Sequence, residues 1–213
     1  MINKNVLPLE ILTFFCLKIQ ASPSPLYDNV QLLPFDPQGW YSNEKKIAEL
    51  FAKYHPKIVI EVGCWAGAST RHMASLLPSE GIVYAVNHWL GSIEHQPGQH
   101  SWSPVLPNIY HLFLSNTIHA KLTDKIFPIR MDSITASKYL SEIRADVIYI
   151  DASHDFASVY ADLNAWYPLV KGHGILCGDD WGYPDICQAV DKFSQEQRLK
   201  VIVSGARFWY LEE

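Results

Sequence analysis

Short apolar runs alternate with helical patterns from about residue 42 to the C-terminus, and this alternation is the feature that most constrains the fold. The strand-like runs, in chain order, are KIVIEVG, IVYAVN, IFPIRMDS, ADVIYIDASH and GILCGDDW. Runs of this kind, without polar alternation, are typical of strands buried on both faces of a parallel sheet. Because helical segments separate them, the sequence predicts an α/β fold with a doubly wound, mostly parallel sheet.

The ends of the elements can also be predicted. Ser42 is placed to cap a first helix over NEKKIAELFAKYH, and Pro56 ends that helix. A later helix over SVYADLNAWYPLV is closed by KGHG. The last two runs, KVIVSG and RFWYLEE, predict an antiparallel strand pair at the C-terminus.

Composition excludes several classes of protein. A chain of 213 residues with 48% hydrophobic residues suits one compact domain. Its net charge is −5 and no basic block is present, so nucleic acid is not expected as a main partner. The four cysteines include no CxxC pair, which favours reduced intracellular thiols over a disulfide framework or a zinc site.

The first 41 residues form a separate region, predicted as an N-terminal helix followed by a linker. MINKNVLPLEILTFFCLKIQASPSP loosely resembles a secretory signal, or it forms an amphipathic helix that packs on the domain or on a partner. Its apolar stretch is too short to span a bilayer. ASPSPLYDNVQLLPFDPQGW reads as an extended, proline-punctuated linker, and residues 42–213 form the domain.

Polar side chains follow the predicted strands. In doubly wound sheets, ligands bind beyond the carboxyl ends of the strands. We therefore expect one crevice lined by the polar residues that end the strands, which are Glu61, Asn87, Asp132, Asp151 and Asp179.

EVGCWAG, residues 61–67, has the form ExGxxxG between a strand and a helix. Glycines are needed where the backbone turns tightly and must touch a ligand. The spacing differs from the GxGxxG that holds a pyrophosphate in nicotinamide folds, so a cofactor without phosphates fits better.

This stretch resembles motif I of class I S-adenosylmethionine-dependent methyltransferases, and the resemblance extends from about Ser42 to the C-terminus. It implies a Rossmann-like methyltransferase fold and S-adenosylmethionine as cofactor. Gly63 and Gly67 would border the methionine part, and Glu61 would reach the amino acid moiety. Trp89 would lie along the adenine or ribose, or would simply pack in the core. The full implied cofactor set is Glu61, Gly63, Trp65, Gly67, Ser69, Asn87, His88, Trp89, Asp132, Ser133 and Asp151.

Asn87 departs from the family pattern, which has an acidic residue at the end of the second strand. A carboxylate accepts hydrogen bonds from both ribose hydroxyls, whereas an amide offers one acceptor oxygen. We expect cofactor binding to be weaker by about 1–2 kcal/mol.

Asp151, Asp179 and Asp180 follow two strands that are expected to be neighbours. Three converging carboxylates repel one another, and a divalent cation such as Mg2+ would remove that conflict. The alternative is that one or two of them cap the following helices, and for Asp180 alone both roles stay open.

These residues resemble the metal set of metal-dependent O-methyltransferases of the catechol and macrocin types. The resemblance implies metal ligation by Asp151, Asp179 and Asp180, with His154 as catalytic base. The metal would bind an acceptor hydroxyl, lower its pKa and hold its oxygen in line with the methyl group. His154 could instead orient Asp151. Asp155 either orients His154 or caps the next helix, and the cap is favoured.

The connection between the second and third strands, residues 88–116, is too long for a simple turn and suits a substrate lid. Its histidines (His88, His95, His100 and His111) form no zinc pattern and are expected to contact solvent or substrate, near Trp89 and Trp102. Trp181 and Tyr183 are expected to add a second wall.

The sequence thus predicts a metal-dependent O-methyltransferase for a small hydroxylated molecule, either sugar-containing or aromatic. Two alternatives are a non-catalytic cofactor-binding protein of the same fold and a cephalosporin hydroxylase-like metal enzyme. A nicotinamide oxidoreductase lacks its glycine fingerprint. The cofactor implies a cytoplasmic protein, although the signal-like N-terminus leaves export open, and a homo-oligomer is compatible with the exposed terminal elements.

Overall fold

A computed structural model describes residues 25–92, 95–99 and 104–213. The sheet has seven strands: β1 (Ile58–Val62), β2 (Ile82–Asn87), β3 (Ile126–Arg130), β4 (Ala145–Ile150), β5 (Val170–Gly178), β6 (Lys200–Ser204) and β7 (Phe208–Glu212). Their order is β3-β2-β1-β4-β5-β7-β6. The first five pair in parallel, whereas β7 runs antiparallel to both β5 and β6. The predicted α/β class and the antiparallel C-terminal pair are confirmed.

Helices cover both faces of the sheet. They are α1 (Glu44–Tyr54), α2 (Ala68–Leu76), α3 (Ile109–His119), α4 (Ser133–Tyr139), α5 (Phe156–Trp166) and α6 (Pro184–Gln197). Successive strand residues point to opposite faces, so Val147 packs with α1, α2 and α3 while Ile148 packs with α4, α5 and α6. Two cores on the two sides of one parallel sheet explain why its strands are apolar without alternation.

Helix α3 was not predicted, and it shortens the expected lid. Five successive residues of α3, from Phe113 to Thr117, are all buried, so the segment has no polar face to reveal a helical period. Among the described residues, the irregular part of the connection is therefore 88–92, 95–99 and 104–108, and it includes a short 3-10 helix at Leu106–Asn108.

The segment before α1 begins with a short 3-10 helix at Pro25–Tyr27, and it is fixed to the domain. Tyr27 donates its hydroxyl proton to the Ile126 carbonyl oxygen over 2.9 Å. Asn116 on α3 exchanges two hydrogen bonds with the backbone of Asp36, at 3.1 and 2.8 Å. The part of this segment from residue 25 onwards is thus attached to the domain. The predicted N-terminal helix lies outside the described residues.

Two predicted boundaries were wrong. Asn43, not Ser42, is the N-cap residue of α1, and its amide turns inward to the Tyr149 hydroxyl at 3.3 Å. The KGHG segment does not close a helix, because β5 already begins at Val170 and pairs with β4 there. Among the described residues, no helix is long and apolar enough to cross a membrane.

The C-terminal strand β7 braces the end of β5. Gly178 pairs with Trp209, and a Cβ at Gly178 would overlap both the indole of Trp209 and the carbonyl oxygen of Ile150. The Trp209 indole N–H donates to the carbonyl oxygen of Asp179 over 2.8 Å. The last strand therefore fixes the backbone at the point where β5 enters the predicted crevice.

We predict that Gly178→Ala destabilises the protein by about 2 kcal/mol or more, because an added methyl group has no space in this core. Urea unfolding measures the change. Gly172→Ala in the same strand is the matched control, because a Cβ there meets nothing within 4 Å. It is expected to change stability by less than about 0.5 kcal/mol. Equal stability of the two variants would contradict the proposed brace.

Candidate active site

The strand ends lie side by side because the ladder continues one residue beyond each strand. Gly63 donates its backbone N–H to Val86 at 2.9 Å, Asp151 to Val62 at 2.8 Å and Asp179 to Ile150 at 3.2 Å. The backbones that follow β1, β4 and β5 therefore leave the sheet together at one edge. This edge brings the two predicted halves of the crevice, the glycine turn and the carboxylates, into contact.

The glycine turn between β1 and α2 requires its glycines for backbone reasons. Gly63 and Gly67 have φ values of 92° and 80°, a region that disfavours side chains. A Cβ at Gly63 would overlap the Asp151 carbonyl oxygen, and one at Gly67 would lie 2.8 Å from the Phe113 ring. Both positions therefore need glycine because the turn packs closely against the protein's own backbone and core. This is a second reason for the glycines, besides the contact with a ligand that was expected from the sequence.

Glu61 is fully buried beneath this turn. The hydroxyl groups of Ser69 and Thr70 both donate hydrogen bonds to its carboxyl oxygens. Burial raises the pKa of Glu61 to about 7, while the two hydroxyls act in the opposite direction. Ser69, predicted to contact the cofactor, is therefore turned towards Glu61, and Thr70 is a partner that sequence reasoning missed.

The polar side chains at the end of β2 accept hydrogen bonds from the backbone that follows them. The Asn87 side-chain oxygen accepts the Trp89 backbone N–H at 3.0 Å, and Nδ1 of His88 accepts the Leu90 N–H at 2.9 Å. Trp89 is only 3% exposed, and its ring packs against Tyr110 and Phe113. The structure therefore favours the second of the two alternatives for Trp89, a core aromatic.

The indole N–H of Trp89 donates to the Trp65 carbonyl oxygen over 2.8 Å, which ties the β2 end to the glycine turn. The Trp65 ring is turned outwards, with the ring of His95 at 4.9 Å and that of Trp40 at 5.6 Å between centroids. This aromatic group forms a wall beside the turn. Of the other lid residues, His111 bonds to the Gln31 backbone, whereas His100 and Trp102 lie outside the described residues.

The segment after β3 has structural partners. Asp132 caps α4 by accepting the Thr135 N–H at 2.9 Å, and these hydrogen bonds lower its pKa. Ser133 donates to Asp162 and accepts the Trp166 indole N–H at 2.8 Å. Asp132 stays exposed at the predicted edge, while the hydroxyl of Ser133 is committed to α5.

Asp151, Asp179 and Asp180 do converge, together with His154, around one small recess that is closed below by Trp209. The prediction was that a divalent cation balances these carboxylates, whereas in the structure side chains of the protein contact Asp180. Nε2 of His154 lies 2.9 Å from an Asp180 oxygen, and the guanidinium of Arg207 contacts the other. We call these five residues, Asp151, His154, Asp179, Asp180 and Arg207, the acidic cluster.

Within the described ranges, no three histidine, cysteine or carboxylate side chains are grouped so that they could hold a metal ion. Asp180 is turned towards Arg207 and His154. Asp180 has a positive φ of 62° and does not cap α6, whose N-cap residue is Tyr183.

Hydrogen bonds and ion pairs bear on two further residues. Asp155 caps α5 by accepting the Ser158 N–H at 3.0 Å, which confirms the favoured role. His154 pairs with Asp180. Its ring also stacks on that of Tyr183, with centroids 5.0 Å apart and planes at 13°. Tyr183 thus forms a second wall, as predicted.

Desolvation controls the electrostatics of the cluster. Burial raises the pKa of Asp151 to about 8, and the negative charges of Asp179 and Glu61 add to the rise. The pKa of Asp179 is also raised by burial, while the neighbouring Asn43 and Arg207 oppose the rise. Arg207 and Asn43 were both missed from the sequence, because neither belongs to a strand-end motif.

The profile of a methyltransferase-domain family matches residues 60–181, more than half of the chain. The chain belongs to this methyltransferase family. The matched region spans the glycine turn and the carboxylates of the acidic cluster, whereas Arg207 lies outside it.

Solved structures with the same fold include three O-methyltransferases. One, from Bacillus cereus in complex with SAH, has a TM-score of 0.59 and 16% identity, covering 88% of this chain and 87% of that one. TomG from Streptomyces achromogenes, in complex with SAM and involved in tomaymycin synthesis, has a TM-score of 0.61 and 14% identity, with 94% and 93% covered. CalS11, a TDP-rhamnose 3'-O-methyltransferase, has a TM-score of 0.57 and 14% identity, with 80% and 78% covered.

We predict that this methyltransferase loses stability as the pH rises from 5 to 8. A group whose pKa is raised by folding stabilises the protein below its unfolded pKa, and this contribution disappears as the pH passes the folded value. For Glu61 the loss begins above the ordinary value of 4.5 and is complete beyond about 7. This shift corresponds to about 3 kcal/mol.

Asp151, whose pKa is raised as well, contributes to the same dependence. Glu61→Gln is therefore expected to reduce the dependence without abolishing it, in thermal unfolding curves recorded between pH 5 and 8. Glu49→Gln, which changes an exposed glutamate on α1, is the control and should keep the wild-type dependence. An unchanged pH dependence in Glu61→Gln would contradict the assignment.

Proposed function

We propose that this methyltransferase transfers a methyl group from S-adenosylmethionine to a hydroxyl group of a small molecule, either sugar-containing or aromatic. One observation supports this most strongly: the glycine turn and the acidic cluster adjoin at the contact of Gly63 with Asp151. A cofactor held on the turn would thus lie next to the acidic cluster, in which His154 is the group that can accept a proton. The O-methyltransferases of the same fold support the reaction type, and two of them were solved with SAM or SAH.

In the cofactor half, Glu61, Gly63, Trp65 and Gly67 would form the methionine side, and Asn87 with His88 the ribose side. Because the oxygen of Asn87 already accepts the Trp89 N–H, its amide offers a ribose hydroxyl mainly an N–H donor. Asp132, exposed at the same edge, and the neighbouring Ser133 would lie on the adenine side. We expect binding that is weaker than with an acidic residue at position 87.

In the acceptor half, His154 is the proposed base. Its Nε2 lies 2.9 Å from an Asp180 oxygen, and a neutral ring that donates from Nε2 to this carboxylate carries its lone pair on Nδ1. Asp180 then stabilises the imidazolium that forms when Nδ1 accepts the hydroxyl proton. The acceptor oxygen attacks the methyl carbon as the carbon–sulfur bond breaks, and S-adenosylhomocysteine leaves.

Divalent-metal assistance was predicted from the sequence, and the carboxylate oxygens of Asp151, Asp179 and Asp180 are suitable donors for Mg2+. As arranged here they do not fit that role, because Asp180 is bound by Arg207 and His154. We therefore assign no step to a metal ion.

Calorimetric titration with S-adenosylmethionine tests the cofactor half. We expect micromolar binding to the wild type and about five- to thirty-fold tighter binding to Asn87→Asp, because a carboxylate strengthens the ribose contacts by about 1–2 kcal/mol. Asn164→Asp adds the same charge at an exposed position on α5 and should leave the affinity unchanged. No binding to any of the three proteins would contradict the proposed function.

Substitution of His154 tests the base. His154→Asn is expected to lower the turnover of an accepted substrate by about 10²- to 10⁴-fold, with the affinity for S-adenosylmethionine within about two-fold of wild type. Transfer of a labelled methyl group to the acceptor provides the measurement. The exposed His173→Asn is the control. Unchanged turnover in His154→Asn would show that another group accepts the proton.

A further inference from the structure

Arg207 lies in the turn between β6 and β7, immediately before β7. Its carbonyl oxygen accepts the backbone N–H of Trp181 over 2.8 Å, which fixes the turn against the loop that follows β5. The side chain is 41% exposed. Its guanidinium contacts Asp180, and its Nε lies 3.7 Å from an Asp179 oxygen.

The carboxylates that it meets are poorly solvated. The side chains of Asp179 and Asp180 are 5% and 7% exposed, and Asp179 uses one oxygen to accept the backbone N–H of Asp180 at 2.6 Å. Adjacent carboxylates in such a place need a positive charge if they are to stay ionised. A guanidinium keeps its charge at every physiological pH and binds carboxylates through several N–H groups.

Arg207 lies close to two carboxylates at once. Its guanidinium contacts one oxygen of Asp180, and its Nε lies 3.7 Å from an oxygen of Asp179. His154 lies 2.9 Å from the other Asp180 oxygen. A single arginine thus lies within reach of both carboxylates that follow β5, which were predicted to hold a metal ion.

We propose that Arg207 is the resident cation of the acidic cluster and takes the place of a divalent metal ion. The two carboxylates are then held apart and ionised by a side chain that cannot be lost to a chelator. The acceptor would not need two neighbouring oxygens to chelate a metal, so a single hydroxyl group suffices. This last consequence depends on the proposed methyl transfer, whereas the charge role of Arg207 does not.

Metal binding in the absence of cofactor and acceptor tests the charge role separately from the reaction. We would measure Mn2+ binding by electron paramagnetic resonance, and thermal unfolding with Mn2+ or with chelator. The proteins are the wild type, Arg207→Gln, Arg207→Lys and, as a control, Arg198→Gln, which removes an exposed arginine outside the cluster.

The wild type and Arg198→Gln should not bind millimolar Mn2+, and chelator should leave their unfolding temperatures unchanged. Arg207→Gln should unfold at a lower temperature and bind Mn2+ roughly tenfold or more tightly than the wild type, because a competing positive charge is removed. Arg207→Lys should recover much of the unfolding temperature and still exclude Mn2+.

Mn2+ binding by the wild type that raises its unfolding temperature would overturn the proposal, and this result does not depend on whether any variant folds. Equal Mn2+ affinity of Arg207→Gln and wild type would overturn it as well. Neither outcome would contradict methyl transfer, which is tested by binding of S-adenosylmethionine and by turnover.

Discussion

Burial of negative charge at the carboxyl ends of β1, β4 and β5 is the constraint on which the rest of the site depends. The parallel ladder places Glu61, Asp151 and Asp179 at one edge of the sheet, where Glu61 and Asp179 are buried and Asp151 is half-buried. Each carboxyl group then needs either a proton or a partner. The hydroxyl groups of Ser69 and Thr70 donate hydrogen bonds to Glu61, whereas Arg207 and His154 pair with Asp180. The first set of partners lies in the proposed cofactor half and the second in the proposed acceptor half.

The fold could be predicted wherever burial is uniform along a strand. The buried parts of the five parallel strands are almost entirely apolar on both faces, and this pattern distinguishes them without knowledge of their partners. The first half of β5, which is partly exposed, was missed for the same reason. Helix α3 could not be found in this way, because its polar residues Ser115, Asn116 and Thr117 are buried. The Asn116 side chain forms hydrogen bonds with the backbone of Asp36 and with the Ala66 carbonyl oxygen. These partners lie far away in the sequence, so no local pattern shows that Asn116 is buried.

The site was predictable only for residues that directly follow a strand. Asp151, His154, Asp179 and Asp180 were found in this way and do meet in the structure. Their balancing charge was not found, because the position of Arg207 depends on antiparallel pairing of β7 with β5, and no local pattern encodes the neighbour of a strand end. The same pairing places Trp209 under Asp179, so the C-terminal hairpin supplies both the floor and the cation of the recess.

The central claim is that cofactor and acceptor sites adjoin at the Gly63–Asp151 contact, with Arg207 as the cation between the carboxylates. A crystal structure grown with S-adenosylhomocysteine and Mn2+ is the most direct test. The account predicts the ligand's methionine part against the turn at residues 63–67, its ribose at Asn87, and Arg207 still bound to Asp180. A ligand bound elsewhere would contradict the account of the cofactor half, and Mn2+ between Asp179 and Asp180 with Arg207 displaced would contradict that of the acidic cluster.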